Sequence, residues 1–188
     1  MKGISGNIEP EKIILGIDPG TSVMGYGVIC VSKNKISLLQ YGVIHLSKYS
    51  DHAIKLSKIF ERVTQITDEF LPDEMAIEAP FYANNVQSML KLGRAQGVAI
   101  AAAISRQIPV TEYAPRKIKV SVTGNGNASK EQVASMLIKM LSIKGTPELL
   151  DATDALGVAV CHHFQKNTPV KKSAGWGAFI KDNPGRVV

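Results

Sequence analysis

The stretch IILGIDPGTSVMGYGVICV, residues 13 to 31, leaves this chain few folds to choose from. An apolar run of Ile13, Ile14, Leu15 and Ile17 leads into Asp18, a Pro19-Gly20-Thr21-Ser22 turn follows, and a β-prone run from Tyr26 to Val31 departs. That pattern predicts a hairpin with a carboxylate where its first strand ends. A strand apolar at nearly every residue is covered on both faces, as in the middle of an α/β sheet. Asp18 is then an acid on rigid backbone beside a buried core. Alone, Asp-Pro-Gly also reads as a plain turn, because Asp at a turn start bonds its own backbone.

The rest of the chain supplies the parts of such a sheet. Ile36 to Leu46 reads as a third strand, and Asp51 caps a helix with Leu56, Ile59, Phe60, Val63, Ile66 and Phe70 on its apolar face. Leu71-Pro72 ends that helix. Glu74 to Ala79 is a short buried strand with Glu78 at its C-terminal end. A long helix runs from about Asn85 to Arg106, with Gly93, Gly97 and Ala101 in one row that permits close approach of another helix. Ile108 to Tyr113 is a further strand, followed by Ala114-Pro115, a basic segment, and a Gly/Asn loop at 123–127. Ser129 and Gln132 form a capping box for a helix packed through Val133, Met136, Leu137, Met140 and Leu141. Thr146-Pro147 caps a last helix from about Glu148 to Phe164, which carries Asp151 and Asp154 on one side.

At 188 residues the chain suits one domain with a real core, placed at 1–166, plus a basic tail at 167–188. A hydrophobic fraction of 45%, a charged fraction of 20% and a mean hydropathy of +0.04 describe an ordinary globular composition. The longest wholly apolar run, Val98 to Ile104, is far short of the ~18 residues a membrane span needs. The first residues lack the apolar core of a secretory signal, so the cytoplasm is the expected compartment. There the two cysteines, Cys30 and Cys161, are reduced packing residues. The formal net charge of +6 is compatible with a polyanionic partner. It gathers in two places, Arg116, Lys117, Lys119 and Lys130 in one and the tail beyond Lys166 in the other.

Four acids therefore stand at element ends: Asp18, Glu78, Asp151 and Asp154. A sheet brings neighbouring strand ends together, and a helix across its edge adds the last two. Carboxylates about 4 Å apart repel by roughly 4 kcal/mol at an effective dielectric near 20, so such a cluster needs cations. Oxygen-only ligands select Mg²⁺ or Mn²⁺. Cys161-His162-His163 diverge around a helix and do not make a zinc site. Two hard ions ~4 Å apart suit in-line phosphoryl displacement. Each acid also has a plainer reading: Asp151 and Asp154 as a helix start favoured by the macrodipole, Glu78 as a strand-end acid paired to a lysine. For Lys119 and Lys130 the plain reading is a solvated face.

With those residues in place, the chain resembles the RuvC family of Holliday junction resolvases, in the ribonuclease H-like superfamily. GIDPGTSVMGYGV, AIEAPF, LKLGRAQGVAIAAA and DATDALGVAV stand in family order and spacing between Ile13 and Phe164. The resemblance implies an α/β ribonuclease H-like fold, a central mixed five-stranded sheet flanked by helices on both faces. It implies that Asp18, Glu78, Asp151 and Asp154 are catalytic ligands of two Mg²⁺ ions, with Mn²⁺ able to substitute. It also implies that Lys119 and Lys130 assist cleavage and that Phe81 stacks on a base near the crossover. Tyr82, Arg116 and Lys117 join these as candidate DNA contacts.

The activity implied is paired symmetric nicking of a four-way DNA junction, leaving 5′-phosphate and 3′-hydroxyl ends. The implied partners are a second copy of the chain and the RuvA–RuvB branch-migration complex, with no membrane. Because a junction is two-fold symmetric and one site makes one cut, a homodimer is expected, with the Gly93, Gly97, Ala101 helix as its contact. Three rivals are weighed against this. A ribonuclease H-like enzyme would act on another substrate such as an RNA–DNA hybrid. A fragment of an actin-like ATPase would use the Asp18 turn for nucleotide phosphates. A non-catalytic binding relative would recognise junction shape without cutting.

Overall fold

The computed structural model describes residues 12–33, 35–80, 85–143 and 150–167. Five strands, β1 (Lys12–Asp18), β2 (Val23–Ser32), β3 (Lys35–His45), β4 (Glu74–Glu78) and β5 (Val110–Tyr113), form one sheet in the order β3-β2-β1-β4-β5. The β1–β2 and β2–β3 pairs are antiparallel, whereas β4 pairs in parallel with β1 and with β5. The expected mixed five-stranded sheet is thus the one observed.

Helices α1 (His52–Phe70) and α2 (Val86–Ile104) cover one face, and α3 (Pro115–Thr123), α4 (Lys130–Met140) and α5 (Leu150–Asn167) cover the other. Alternate residues of β1 serve the two cores: Leu15 and Ile17 pack with Ile59, Val63 and Ala99, while Ile14 packs with Leu137, Leu156 and Val160. That two-sided burial is why β1 is apolar almost throughout.

Local signals place most boundaries. The Asp51 side chain accepts from the Ile54 N–H, and Leu71 closes α1 in a left-handed conformation at φ 47°. Asn85 caps α2, and the Ser129–Gln132 capping box is complete. Two expectations are corrected, and the basic segment, unassigned from sequence, acquires an element. Phe60, Met136 and Met140 are exposed rather than packed, because each lies round the helix from the core-facing row. The basic segment after Ala114 is a helix, α3, opened by Pro115 at its first turn and buried through Ile118 and Val122. Arg106 lies beyond the end of α2, which stops at Ile104.

The expected Thr146-Pro147 cap, Phe81, Tyr82 and the basic tail lie outside the described residues. Cys30 and Cys161 are buried and are not joined in a disulfide. No helix among the described residues is long and apolar enough to cross a membrane.

Candidate active site

Parallel pairing of β1 with β4 aligns Ile17 with Ile77, so the residues that follow, Asp18 and Glu78, end adjacent strands side by side. Strand spacing in a sheet is about 4.8 Å, which sets the scale of their separation. The turn after Asp18 is held from two sides. Lys55 Nζ donates to the Thr21 carbonyl at 3.0 Å, and the Leu46 and Ser47 N–H groups donate to the Ser22 carbonyl at 2.8 and 2.9 Å.

Helix α5 brings the other two acids, and glycines decide how close it comes. A Cβ on Gly25, the residue paired with Asp18, would lie 2.1 Å from the Asp151 carbonyl oxygen; one on Gly16 would lie 2.2 Å from that of Ala155. The helix therefore sits directly on the β1–β2 backbone. Its first turns hold Asp151 and Asp154 against Asp18, and one carboxylate oxygen from each of the three lies within 4.8 Å of the others. Glu78 lines the same cavity, about 390 Å³ in volume, without joining that cluster. Pro115, Ile118 and Val133 give the cavity an apolar wall.

Asp18 and Glu78, buried beside apolar groups and other acids, resist ionisation. Burial pushes the Asp18 carboxyl up to about 8, with further upward contributions from Glu78, Asp154 and Asp151. Burial and then Asp154 push Glu78 up to about 7. The counter-charge in the cavity is lysine. Lys130, the first residue of α4, places Nζ 2.6 Å from Asp154 Oδ2 and 3.9 Å from Asp151 Oδ1, and this hydrogen bond to Asp154 raises its own pKa. Sequence reasoning aimed Lys130 at a substrate phosphate; the structure places its amine against the acids. Lys119 lines the cavity, and its charge acts on Glu78. Arg116 and Lys117 are exposed at the start of α3, outside the cavity lining. Arg116 lies across Gly126, and Lys117 Nζ is 5.3 Å from the Tyr113 ring centre.

An oxygen-only donor set, two of whose carboxyls are raised by burial and by their acidic neighbours, fits hard divalent cations. Histidine contributes nothing here. His162 is turned away into the core, where its ring bonds the Tyr113 hydroxyl at 2.9 Å and Glu74 Oε2 at 2.6 Å. Two residues in contact with the elements that carry the acids escaped sequence reasoning. Gly25 carried only a strand-glycine signal. Gln96 carried a fainter one, a polar side chain in the row of Ala95, Ala99, Ala102 and Ala103 that α2 buries.

A pH dependence follows in the absence of metal. Between about pH 4, where an unfolded Asp releases its proton, and about pH 8, where folded Asp18 does, the folded chain holds the extra proton. Stability should therefore fall as pH rises through that window. Divalent ions require the deprotonated carboxylates, so stabilisation by Mg²⁺ should grow over the same range. Melting temperatures at pH 5 and pH 8, in EDTA and in Mg²⁺, check this. A Mg²⁺ shift no larger at pH 8 than at pH 5 would contradict it.

A family model described as crossover junction endodeoxyribonuclease RuvC matches residues 14–162. The chain belongs to the RuvC family. Among similar proteins, crossover junction endodeoxyribonuclease RuvC of Cytophaga hutchinsonii is 68% identical over 177 residues, covering 94% of this chain and 88% of the relative. The protein of the same name from Christiangramia forsetii is 57% identical over 182 residues, covering 96% and 95%. Among solved structures, Thermus thermophilus RuvC in complex with a Holliday junction substrate aligns with a TM-score of 0.77 at 31% identity, covering 82% of this chain and 94% of that one. The mixed sheet and its helices are the ribonuclease H-like fold of RuvC resolvases.

Proposed function

We propose that this chain is a divalent-metal-dependent endodeoxyribonuclease that resolves four-way DNA junctions in the cytoplasm during recombination and repair. The observation that carries the reading is the convergence of Asp18, Asp151 and Asp154 within 4.8 Å beside Glu78 in a chain of the RuvC family. These four carboxylates would hold two Mg²⁺ ions, or Mn²⁺. Such ions, when bound, activate a water for attack on phosphorus and stabilise the leaving 3′ oxygen. The protein's own part is to fix the acids on strand ends and one helix. Lys119 would steady charge on the phosphoryl group, and Lys130, beside Asp154 in the same cavity, would contact phosphate. Hydrolysis forms one P–O bond from water and breaks the bond to the 3′ oxygen, leaving a 5′-phosphate and a 3′-hydroxyl. Arg116 and Lys117 extend the positive surface beyond the cavity, and Phe81 and Tyr82, which follow Glu78 closely in sequence, are the candidate base contacts. Residues 1–166 form the nuclease domain in this reading and 167–188 a basic tail. RuvA–RuvB is the expected collaborator.

Two matched cuts need two sites, and α2 offers the contact between copies. Val86, Leu90 and Ile104 are 66%, 51% and 59% exposed on it. Gly93 and Gly97 lie between them, and a Cβ on either would meet nothing within 4 Å. Glycine inside a helix costs about 1 kcal/mol relative to alanine, so two glycines facing open space serve no purpose within the monomer. In a dimer they let a second α2 approach closely. Sedimentation at micromolar concentration should show a dimer for the wild type and a monomer for Gly97→Glu, whose melting temperature should be little changed. A wild-type monomer that still cuts both strands of one junction together would refute the arrangement.

Cleavage of a synthetic four-way junction, a plain duplex and an RNA–DNA hybrid, each with and without Mg²⁺, tests the function. Paired nicks in the junction, only with metal, are the expected result. Preferential cutting of the hybrid would replace this reading with a ribonuclease activity, and ATP hydrolysis without nuclease activity would replace it with the ATPase.

A further inference from the structure

The active site already described accounts for Asp18, Glu78, Asp151 and Asp154 but leaves unexplained one buried polar residue on the helix behind it. Gln96 is 6% exposed, and the other residues α2 buries are Ala95, Ala99, Ala102 and Ala103. Burying an amide among alanines is unfavourable unless its hydrogen bonds are made. Gln96 Nε2 makes two: it donates to the Glu78 backbone carbonyl at 3.3 Å and to Glu112 Oε2 at 2.9 Å. Both partners lie near the C-terminal edge of the sheet, one at the last residue of β4 and the other in β5.

That location matters because β4 is a short strand and its final residue bears an acid of the cavity. Beyond Glu78 the backbone leaves the ladder toward Pro80, held by the Ala79 N–H donating to the Tyr113 carbonyl at 2.9 Å. The Gln96 amide is a second tie, applied to the carbonyl of Glu78 itself. We propose that Gln96 is a positioning residue that locks the end of β4 so that the Glu78 carboxylate keeps its place beside Asp18. The inference rests on the proposed nuclease function, and it also links the active site to the helix through which two copies would pair.

Three forms test it: wild type, Gln96→Leu, and the exchange Gln96→Glu with Glu112→Gln. The exchange rebuilds an amide–carboxylate bond between α2 and β5 but replaces the amide at position 96, the donor to the Glu78 carbonyl, with a carboxylate. Groups that orient a metal ligand are worth roughly 10- to 100-fold in activity or metal affinity. Single-turnover junction cleavage should therefore fall about tenfold or more in both variants. Junction affinity in EDTA should stay within about twofold of wild type, because the DNA-facing lysines are untouched. The rise in melting temperature on adding Mg²⁺ should shrink in both variants, and the exchange should melt closer to wild type in EDTA than Gln96→Leu does. Restored cleavage and a restored Mg²⁺ shift in the exchange would show that Gln96 merely bridges α2 to β5, and would overturn the proposal. So would wild-type cleavage by Gln96→Leu. A wild-type protein that cuts no junction would refute the functional reading instead, while the Mg²⁺ shift would still report on the role of Gln96.

Discussion

Asp18→Asn should abolish junction cleavage while leaving junction binding intact. The substitution keeps the shape of the side chain and removes its charge, so the hairpin and the Lys55 tie to Thr21 stay as they are. What is lost is the central member of the acid cluster, whose oxygen lies within 4.8 Å of those from Asp151 and Asp154. On the proposed reading Asp18 is a ligand of a two-metal site, and removing one forfeits several kcal/mol of transition-state stabilisation, of which ~3 kcal/mol is already more than a hundredfold in rate. The same change should make the metal-free protein more stable at pH 8. There the wild-type chain must either ionise a buried acid among three others or hold a proton that the unfolded chain has released. A gain on the order of 1 kcal/mol, roughly 2–4 °C in Tm, is expected in EDTA, shrinking toward pH 5. Mg²⁺ should reverse the order, because it stabilises the wild type more. Cleavage by purified Asp18→Asn at the wild-type rate, or a lower Tm than wild type in EDTA at pH 8, would contradict this account. Gain of stability on loss of an active-site charge is the usual trade between the two properties.

Gly25→Ala should be nearly as damaging to cleavage, by a different route. One methyl group there would meet the Asp151 carbonyl oxygen at 2.1 Å, and because both are backbone-anchored, neither a rotamer change nor a flexible tip relieves the clash. The first turn of α5 must lift off the sheet and carry Asp151 with it. Overpacking of this kind costs about 1–3 kcal/mol, and a displacement of ~1 Å at a reacting centre costs on the order of a hundredfold in rate. Gly157→Ala is the control on the same helix. Its Cβ would make ordinary contact, 3.4 Å from the Ile118 side chain and 3.6 Å from that of Leu137, and the better helix former should leave cleavage and Tm near wild type or raise Tm. Equal cleavage by the Gly25 and Gly157 variants would mean that the seat of α5 does not set the position of Asp151.

The two predictions differ in how legible their residues are in the sequence. Asp18 announces itself: an acid that closes an apolar strand and opens a Pro-Gly turn is conspicuous in any reading. Glu78, before Ala79-Pro80, and the Asp151/Asp154 pair on one helix face are nearly as plain. Gly25 is one glycine in a strand with two, and nothing in its neighbours says that a helix from 126 residues later rests on it. Likewise the apolar spacing of α1 and α4 could not separate Phe60, Met136 and Met140 from the buried residues beside them. The choice depends on how each helix is rotated against the sheet.

Local pattern alone determined the strands, most of the helices, the Asp51 and Ser129 caps and the four acids at element ends, because propensity, periodicity and capping act over a few residues. Only the tertiary structure decided the rest: that Asp18, Asp151 and Asp154 share one cluster with Glu78 at its side, that Lys130 turns to Asp154, that Gly25 admits α5, and that Gln96 ties α2 to the end of β4. Those contacts join residues far apart in the chain. Their energies depend on distances of a few ångströms that no run of neighbouring residues specifies.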